Sequence, residues 1–218
     1  MELTTQQLQR VEHYLNVKHI TYVDLRMEVL DHIVSDIEAK MEKENLDFET
    51  VFYNVTDKWN SQLKETSSYI FGLTYSGPKM VINKAKKTYK KWFFIFLLAF
   101  IVPSVFVDRL NFSFSESFIN GTNLLIQVVS FVCFIILLYL VISKYRIKTK
   151  TTYSFVLKTQ AWNLIYFPML MLNSVFLKKQ NTLSSLNLGL TFAFISVVCC
   201  YYFYFKKHKE AIKKYKIS

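Results

Sequence analysis

The sequence predicts an all-α protein, with a small N-terminal domain of about three helices followed by four transmembrane helices. Hydrophobic residues make up 52% of the 218 residues, and glycine occurs four times. Residues 1–78 contain 7 Lys and Arg against 13 Asp and Glu, whereas residues 79–218 contain 20 against 3, and four long apolar segments lie in this basic part. Such an asymmetry of charge indicates two physical environments within one chain.

Helix-start signals and apolar periodicity predict three helices in a cytoplasmic acidic domain, residues 1–66. Thr4 followed by Gln7 forms a capping box for the first helix, and Thr21 with Asp24 repeats the pattern for a second that begins at Tyr22. A third is expected after Asp47, where apolar side chains recur at helical spacing, at Phe48, Val51, Phe52, Val55, Trp59 and Leu63. Three helices of this length bury only a small core.

The second predicted helix, "YVDLRMEVLDHIVSDIEAKME", residues 22–42, separates its side chains into two faces. At about 100° per residue the apolar side chains cover one side, and the acidic ones form a narrow stripe opposite. We expect the apolar side to face the core and the stripe to be exposed. The acidic residues predicted to bind a partner are Asp24, Glu28, Asp31, Glu38 and Glu42.

Two residues of this helix depart from that division. Arg26 falls within the apolar arc, so we predict a structural ion pair with an acid of another helix, Glu12 or Asp57. His32 lies one turn from Asp36 and one turn from Glu28, a spacing that suits a pH-responsive or metal-responsive site. A solvated helix margin with an Asp–His pair four residues apart is the favoured interpretation.

A linker and a basic juxtamembrane stem are predicted over residues 67–91. Its aromatic residues are expected at the membrane surface. The lysines predicted to contact anionic lipid headgroups are Lys84, Lys86, Lys87, Lys90 and Lys91. Because these lysines directly precede an apolar segment, lipid contact is favoured and direct binding of nucleic acid is not expected.

The four apolar segments form a predicted transmembrane domain, residues 92–205, followed by a basic cytoplasmic tail, residues 206–218. The spans are residues 92–107, 124–142, 154–177 and 186–205, each close to the roughly 20 residues needed to cross a bilayer. The third is the weakest, since it contains Lys158, Gln160, Asn163, Pro168 and Asn173. We expect its polar side chains to form hydrogen bonds between helices.

Lys and Arg in the short connections predict the orientation. Residues 79–91, 143–153 and 206–218 hold six, four and six, whereas 108–123 and 178–185 hold one and two. Positively charged connections remain in the cytoplasm. The prediction is therefore a multi-pass protein of a bacterial inner membrane with both termini cytoplasmic.

Residues 8–65 resemble a family. The sequence has Tyr14 and Leu15 in a first short helix, then "LRMEVLDHIVSDIEAKM", then a helix opening "LDFETVF", all ahead of four spans. This arrangement is similar to the HAAS-type domains of bacterial membrane proteins. The resemblance implies a small helical module that accompanies a PadR-type transcriptional regulator and relays a membrane state to it. The third helix departs from the family, since "NVTDKWNSQLK" replaces its usual turn.

These features predict a signalling or regulatory membrane protein whose cytoplasmic module binds a partner protein. The alternative is an accessory or membrane subunit of a transport or export system, and homo-oligomerisation is compatible with either. No catalytic residue, cofactor or metal site is predicted, and an enzyme is not expected. The four glycines provide no phosphate-binding loop, the spans contain no Asp or Glu, and the three cysteines lie singly or adjacent within apolar runs.

Overall fold

The computed structural model describes residues 2–110, 115–170 and 184–215, and this part of the chain is mostly helical. Its elements are α1 (Thr5–Val17), α2 (Val23–Glu44), α3 (Phe48–Leu63), β1 (Glu65–Ser68), β2 (Gly72–Pro78), α4 (Lys79–Leu110), α5 (Glu116–Arg146), α6 (Thr152–Gln160), a 3-10 helix (Ala161–Ile165) and α7 (Ser185–Tyr215). Residues 166–170 are also helical.

The chain divides into two compact units. The first unit comprises Met1–Lys87, Lys148–Thr159 and Lys207–Ser218, and the second comprises Thr88–Ile147 and Gln160–Lys206. The first unit thus extends beyond the predicted residues 1–66, because segments distant in sequence pack against α2.

The starts of the N-terminal helices follow the sequence signals in two cases of three. Thr4 and Gln7 form the predicted capping box of α1, and the Asp47 carboxylate accepts from the Thr50 amide at 3.1 Å at the start of α3. The second predicted capping box is wrong. Tyr22 occupies the N-cap of α2 without a side-chain hydrogen bond, and the Asp24 carboxylate is hydrogen-bonded to another segment.

The predicted apolar face of α2 lies in the core of the first unit. Val29, Ile33 and Ile37 are fully buried, and they pack with side chains of α1 and α3 that are also buried, Val11, Leu15, Val51, Phe52 and Val55. Burying an aliphatic side chain of this size contributes roughly 1.5–3 kcal/mol to folding. The periodicity of the apolar residues therefore identified the core face correctly.

The segment predicted as a linker contains a β-hairpin, which the all-α prediction lacks. β1 and β2 pair antiparallel, with a bulge between Ser67 and Ser68, and Gly72 adopts a φ of +88° that a side chain would disfavour. Phe71 is 4% exposed, with its ring edge-on to Phe155 of α6 at 5.4 Å. This packing supports a hairpin that would be marginal alone.

Among the described residues, three helices are long and apolar enough to cross a membrane: Lys79–Val107, Glu116–Arg146 and Ser185–Tyr215. The remaining predicted span, residues 154–177, is described only to residue 170, and 171–177 lie outside the described residues. Its described part is interrupted, since α6 gives way to the 3-10 helix Ala161–Ile165.

Close packing in the second unit centres on a glycine of α7. A Cβ built on Gly189 would lie 2.7 Å from the carbonyl oxygen of Phe100 and would also collide with the Ser104 hydroxyl, both on α4. The Ser104 hydroxyl donates to Phe100 O at 2.8 Å and approaches Ser185 O at 3.2 Å. Small residues allow two helix backbones to approach in this way in membranes.

Candidate functional site

The N-terminal half of α2 is attached to basic segments of its own unit. The Val23 amide donates to Lys150 O at 2.9 Å, and both oxygens of Asp24 accept from the Thr152 amide, at 2.9 and 3.2 Å. Thr152 is the first residue of α6, so the Asp24 carboxylate caps the N-terminus of that helix from a position 128 residues away. A carboxylate there also interacts favourably with the helix dipole.

Asp24 was predicted to be exposed, and the structure corrects this. The residue is 4% exposed, because the segment 148–159 covers it. A buried carboxylate requires hydrogen-bond donors, and the amide at the α6 N-terminus is such a donor. The role that the structure gives Asp24 is to join α2 to α6.

Glu28 lies one turn further along α2 and pairs with Lys84 of α4, with Nζ 2.5 Å from Oε2. The two side chains are 44% and 37% exposed, so solvent screens the pair. The predicted headgroup lysines therefore differ in environment. Lys84 and Lys86 are half-buried, while Lys87, Lys90 and Lys91 are exposed.

From Asp31 onward, α2 presents most of its acidic side chains to solvent. Asp31, Asp36 and Glu42 are exposed, whereas Glu38 is half-buried and accepts from the Leu3 amide at 2.9 Å. Of the five predicted partner-binding acids, Glu28, Asp31 and Glu42 are thus exposed, and Glu28 is paired with Lys84. We call the exposed set Asp31, Asp36 and Glu42 the acidic face. At about 100° per residue, Glu42 lies about 20° from Asp31 around the helix and Asp36 about 140° from it, so the set extends around one side of α2.

His32 lies beside this face and stacks on Trp59 of α3, with ring centroids 6.4 Å apart and planes inclined by 21°. No three His, Cys, Asp or Glu side chains in the described part of the chain are grouped closely enough to hold a metal ion. The helical spacing of Glu28, His32 and Asp36 therefore does not produce a metal site. Instead, an aromatic pair borders the exposed acids.

The guanidinium group of Arg26 donates hydrogen bonds to backbone carbonyl oxygens. Its nitrogens donate to Ile20 O at 3.4 Å and to Glu12 O at 3.5 Å. The contacts reach the turn between α1 and α2 and the body of α1, so Arg26 joins these two helices. The carboxylate of Glu12, one of its two predicted partners, is not the acceptor in these contacts.

Burial raises the pKa of two tyrosines of the first unit. Burial and the charge of Asp57 raise the pKa of Tyr14 to about 12, and its hydroxyl donates to Thr56 O at 3.1 Å. Burial, then the charges of Glu65 and Asp24, raises the pKa of Tyr22. Both hydroxyls therefore remain neutral at physiological pH, in keeping with structural roles.

A cavity of about 210 Å³ opens beside Asp24 in the first unit. It is lined by Asp24, Lys84, Tyr153, Lys207, Glu210, Ala211, Lys214 and Tyr215. Lys207 pairs with Glu210 at 2.9 Å, and Asp24 caps α6. The lining thus has mixed charge, and repulsion from its carboxylates disfavours the binding of an anion between the lysines.

No protein-family model, curated protein or solved structure matches this chain.

The residues that pack against the start of α2 were not predicted from the sequence. Thr151 and Thr152 are buried, the Thr151 hydroxyl lies 2.9 Å from Nδ1 of the buried His208, and Phe155 contacts both Tyr22 and Phe71. A signal was available in "KTKTTYSF", where threonines and a serine precede an apolar stretch as at a helix start. The spacing of these residues does not indicate that Asp24 caps the N-terminus of α6.

Proposed function

We propose that this chain is a signalling protein of a bacterial inner membrane whose first unit binds a cytoplasmic partner protein through the acidic face of α2. The observation that carries the proposal is the unequal use of the acids along one helix. Asp24 and Glu28 make contacts within the unit, whereas Asp31 and Asp36 are exposed to solvent beside the His32–Trp59 pair. A basic protein surface complements such a face.

The partner we propose is a PadR-type transcriptional regulator, which the resemblance of residues 8–65 implies. The DNA-binding surface of a regulator is basic, because it must neutralise phosphates. Binding to the acidic face would therefore compete with binding to DNA, and the membrane protein would hold the regulator away from its operator.

The proposed topology has four spans with both termini in the cytoplasm, the third of them being the segment 154–177. Support comes from the 16 Lys and Arg in connections on one side against three on the other. Reporter fusions at residues 112 and 181 test it. Periplasmic activity is expected at both positions, and cytoplasmic activity at 181 would exclude the four-span arrangement.

The binding test uses the full chain in nanodiscs and a PadR-type regulator encoded beside its gene. Triple reversal of Asp31→Lys, Asp36→Lys and Glu42→Lys should weaken binding at least tenfold, since like charges would then face each other. The matched control is Glu12→Lys, on an exposed position of α1. The proposal fails if the regulator does not bind the unmodified chain, or if the triple variant and the control behave alike.

A further inference from the structure

The β-hairpin of the first unit presents large apolar side chains to solvent at its tip. Tyr69 is 88% exposed, Ile70 55% and Leu73 60%. Their neighbour Phe71 is buried against Phe155, so the tip is held in place while the three side chains around it point outward. We call Tyr69, Ile70 and Leu73 the apolar tip.

A cation lies next to this hairpin. The ammonium group of Lys158 is 5.7 Å from the ring centroid of Tyr75 on β2, and the residue is exposed. Aromatic and aliphatic side chains beside a lysine match the interface of a bilayer. There, apolar groups enter the acyl boundary and cations contact lipid phosphates.

Lys158 is close along the chain to residues of the type expected at the membrane interface. Trp92 begins the apolar run of α4, and Tyr89 precedes it by three residues, about 4.5 Å along a helix. Trp and Tyr in these positions are typical of the membrane interface. The Tyr89 hydroxyl donates to Gln160 Oε1 at 2.9 Å, which sets Gln160 at the same level.

Both α6 residues that contact the hairpin are close to Gln160 along the chain. Lys158 and Phe155 precede it by two and five residues of the same helix, about 3 and 7.5 Å along the axis. The residues that support the apolar tip therefore lie within about one and a half helical turns of Gln160.

We propose that the apolar tip inserts into the interfacial layer of the lipid bilayer, with Lys158 contacting lipid phosphates. The occupant of this surface is lipid, because the chain itself contains three helices able to cross a membrane and the supporting helix leads directly to the second unit. The hairpin would then be a membrane contact of the first unit additional to its covalent connections. It is independent of the partner proposed for the acidic face.

Nitroxide labels in the full chain test the insertion. Tyr69→Cys and Leu73→Cys are made on a background of Cys133→Ala, Cys199→Ala and Cys200→Ala, and each labelled protein is placed in nanodiscs that contain anionic lipid. The control is Tyr53→Cys on α3, where the native side chain is 60% exposed. Collision rates with oxygen and with a water-soluble nickel chelate report the depth of each label.

Labels at 69 and 73 are expected to give an oxygen-to-nickel collision ratio several-fold above that at 53. Ratios equal to that of the control would overturn the proposal. A second copy of the chain is the competing occupant. If the high ratios occur only where two copies share a disc and spin–spin coupling appears with them, the tip is a dimer contact and the lipid proposal is wrong.

Discussion

The start of α2, as far as Glu28, and the rest of the helix, from Asp31 onward, both carry acidic residues, and the structure uses them differently. At the start, Asp24 is buried at the N-terminus of α6 and Glu28 pairs with Lys84. Further along, Asp31 and Asp36 are exposed. A stripe of charge on a helix therefore does not identify a binding surface until the rest of the chain has been placed around it.

The largest expected effect follows from Asp24→Asn, which retains the shape of the side chain and removes its charge. A hydrogen bond to a charged group contributes about 1.5–3 kcal/mol, so we expect the segment 148–159 to open more easily by about 2 kcal/mol. Hydrogen exchange of the Thr152 amide in the full chain measures this. Asp31→Asn is the matched control, and equal exchange in both variants would contradict the comparison.

The contacts of Asp24 show why sequence reasoning reached only part of this arrangement. Local signals predicted α1 and α3 and the core face of α2, because caps and periodicity act within a few residues. The partner of Asp24 lies at Thr152, 128 residues away. No local pattern encodes that distance, so a buried cap was interpreted as a surface charge.

Two further elements show the same limit. The segment "SSYIFGLTYSGP" was interpreted as a linker, but it forms a hairpin. A two-stranded hairpin needs packing against another element, and this support comes from Phe155 of α6, which is distant in sequence. In α7 the spacing Ser185, Gly189, Ala193 places small residues four apart. The contacts of Ser185 and Gly189 with Ser104, and of Gly189 with Phe100, show that this part of α7 packs against α4.

Alkaline pH should loosen the start of α2 through Tyr22. Its pKa is raised by burial and by Glu65 and Asp24, so the unfolded chain ionises near the ordinary value of 10.0 while the folded unit stays neutral. The stabilisation is therefore complete below about pH 10 and is lost as pH rises toward the folded pKa.

Hydrogen exchange of the amides at the start of α2, measured from pH 7 upward, reports this loss. The measured rates are corrected for the increase of the intrinsic exchange rate with pH. Tyr22→Phe should flatten the dependence. Tyr53→Phe, at an exposed position, should leave it as in the native chain. An unchanged slope in Tyr22→Phe would show that another group dominates.

The Glu28–Lys84 pair should contribute less than Asp24, because both side chains are more than one third exposed. A double-mutant cycle with Glu28→Gln and Lys84→Gln should give a coupling of about 0.2–1 kcal/mol that decreases as salt is added. The stability of the first unit is measured by exchange in the full chain. A coupling as large as the Asp24 effect, or one insensitive to salt, would mean that the pair is shielded from solvent.

The smallest effect on stability is expected at the acidic face. Asp31→Asn and Asp36→Asn change exposed side chains, so each should alter the stability of the first unit by no more than about 0.5 kcal/mol. The same substitutions should weaken binding of the proposed partner, whereas the main effect of Asp24→Asn should be a loss of stability. Stability and binding would thus be affected by different parts of one helix. If Asp31→Asn or Asp36→Asn destabilised the unit as strongly as Asp24→Asn, that residue would also have a structural role, and the division of α2 would not hold.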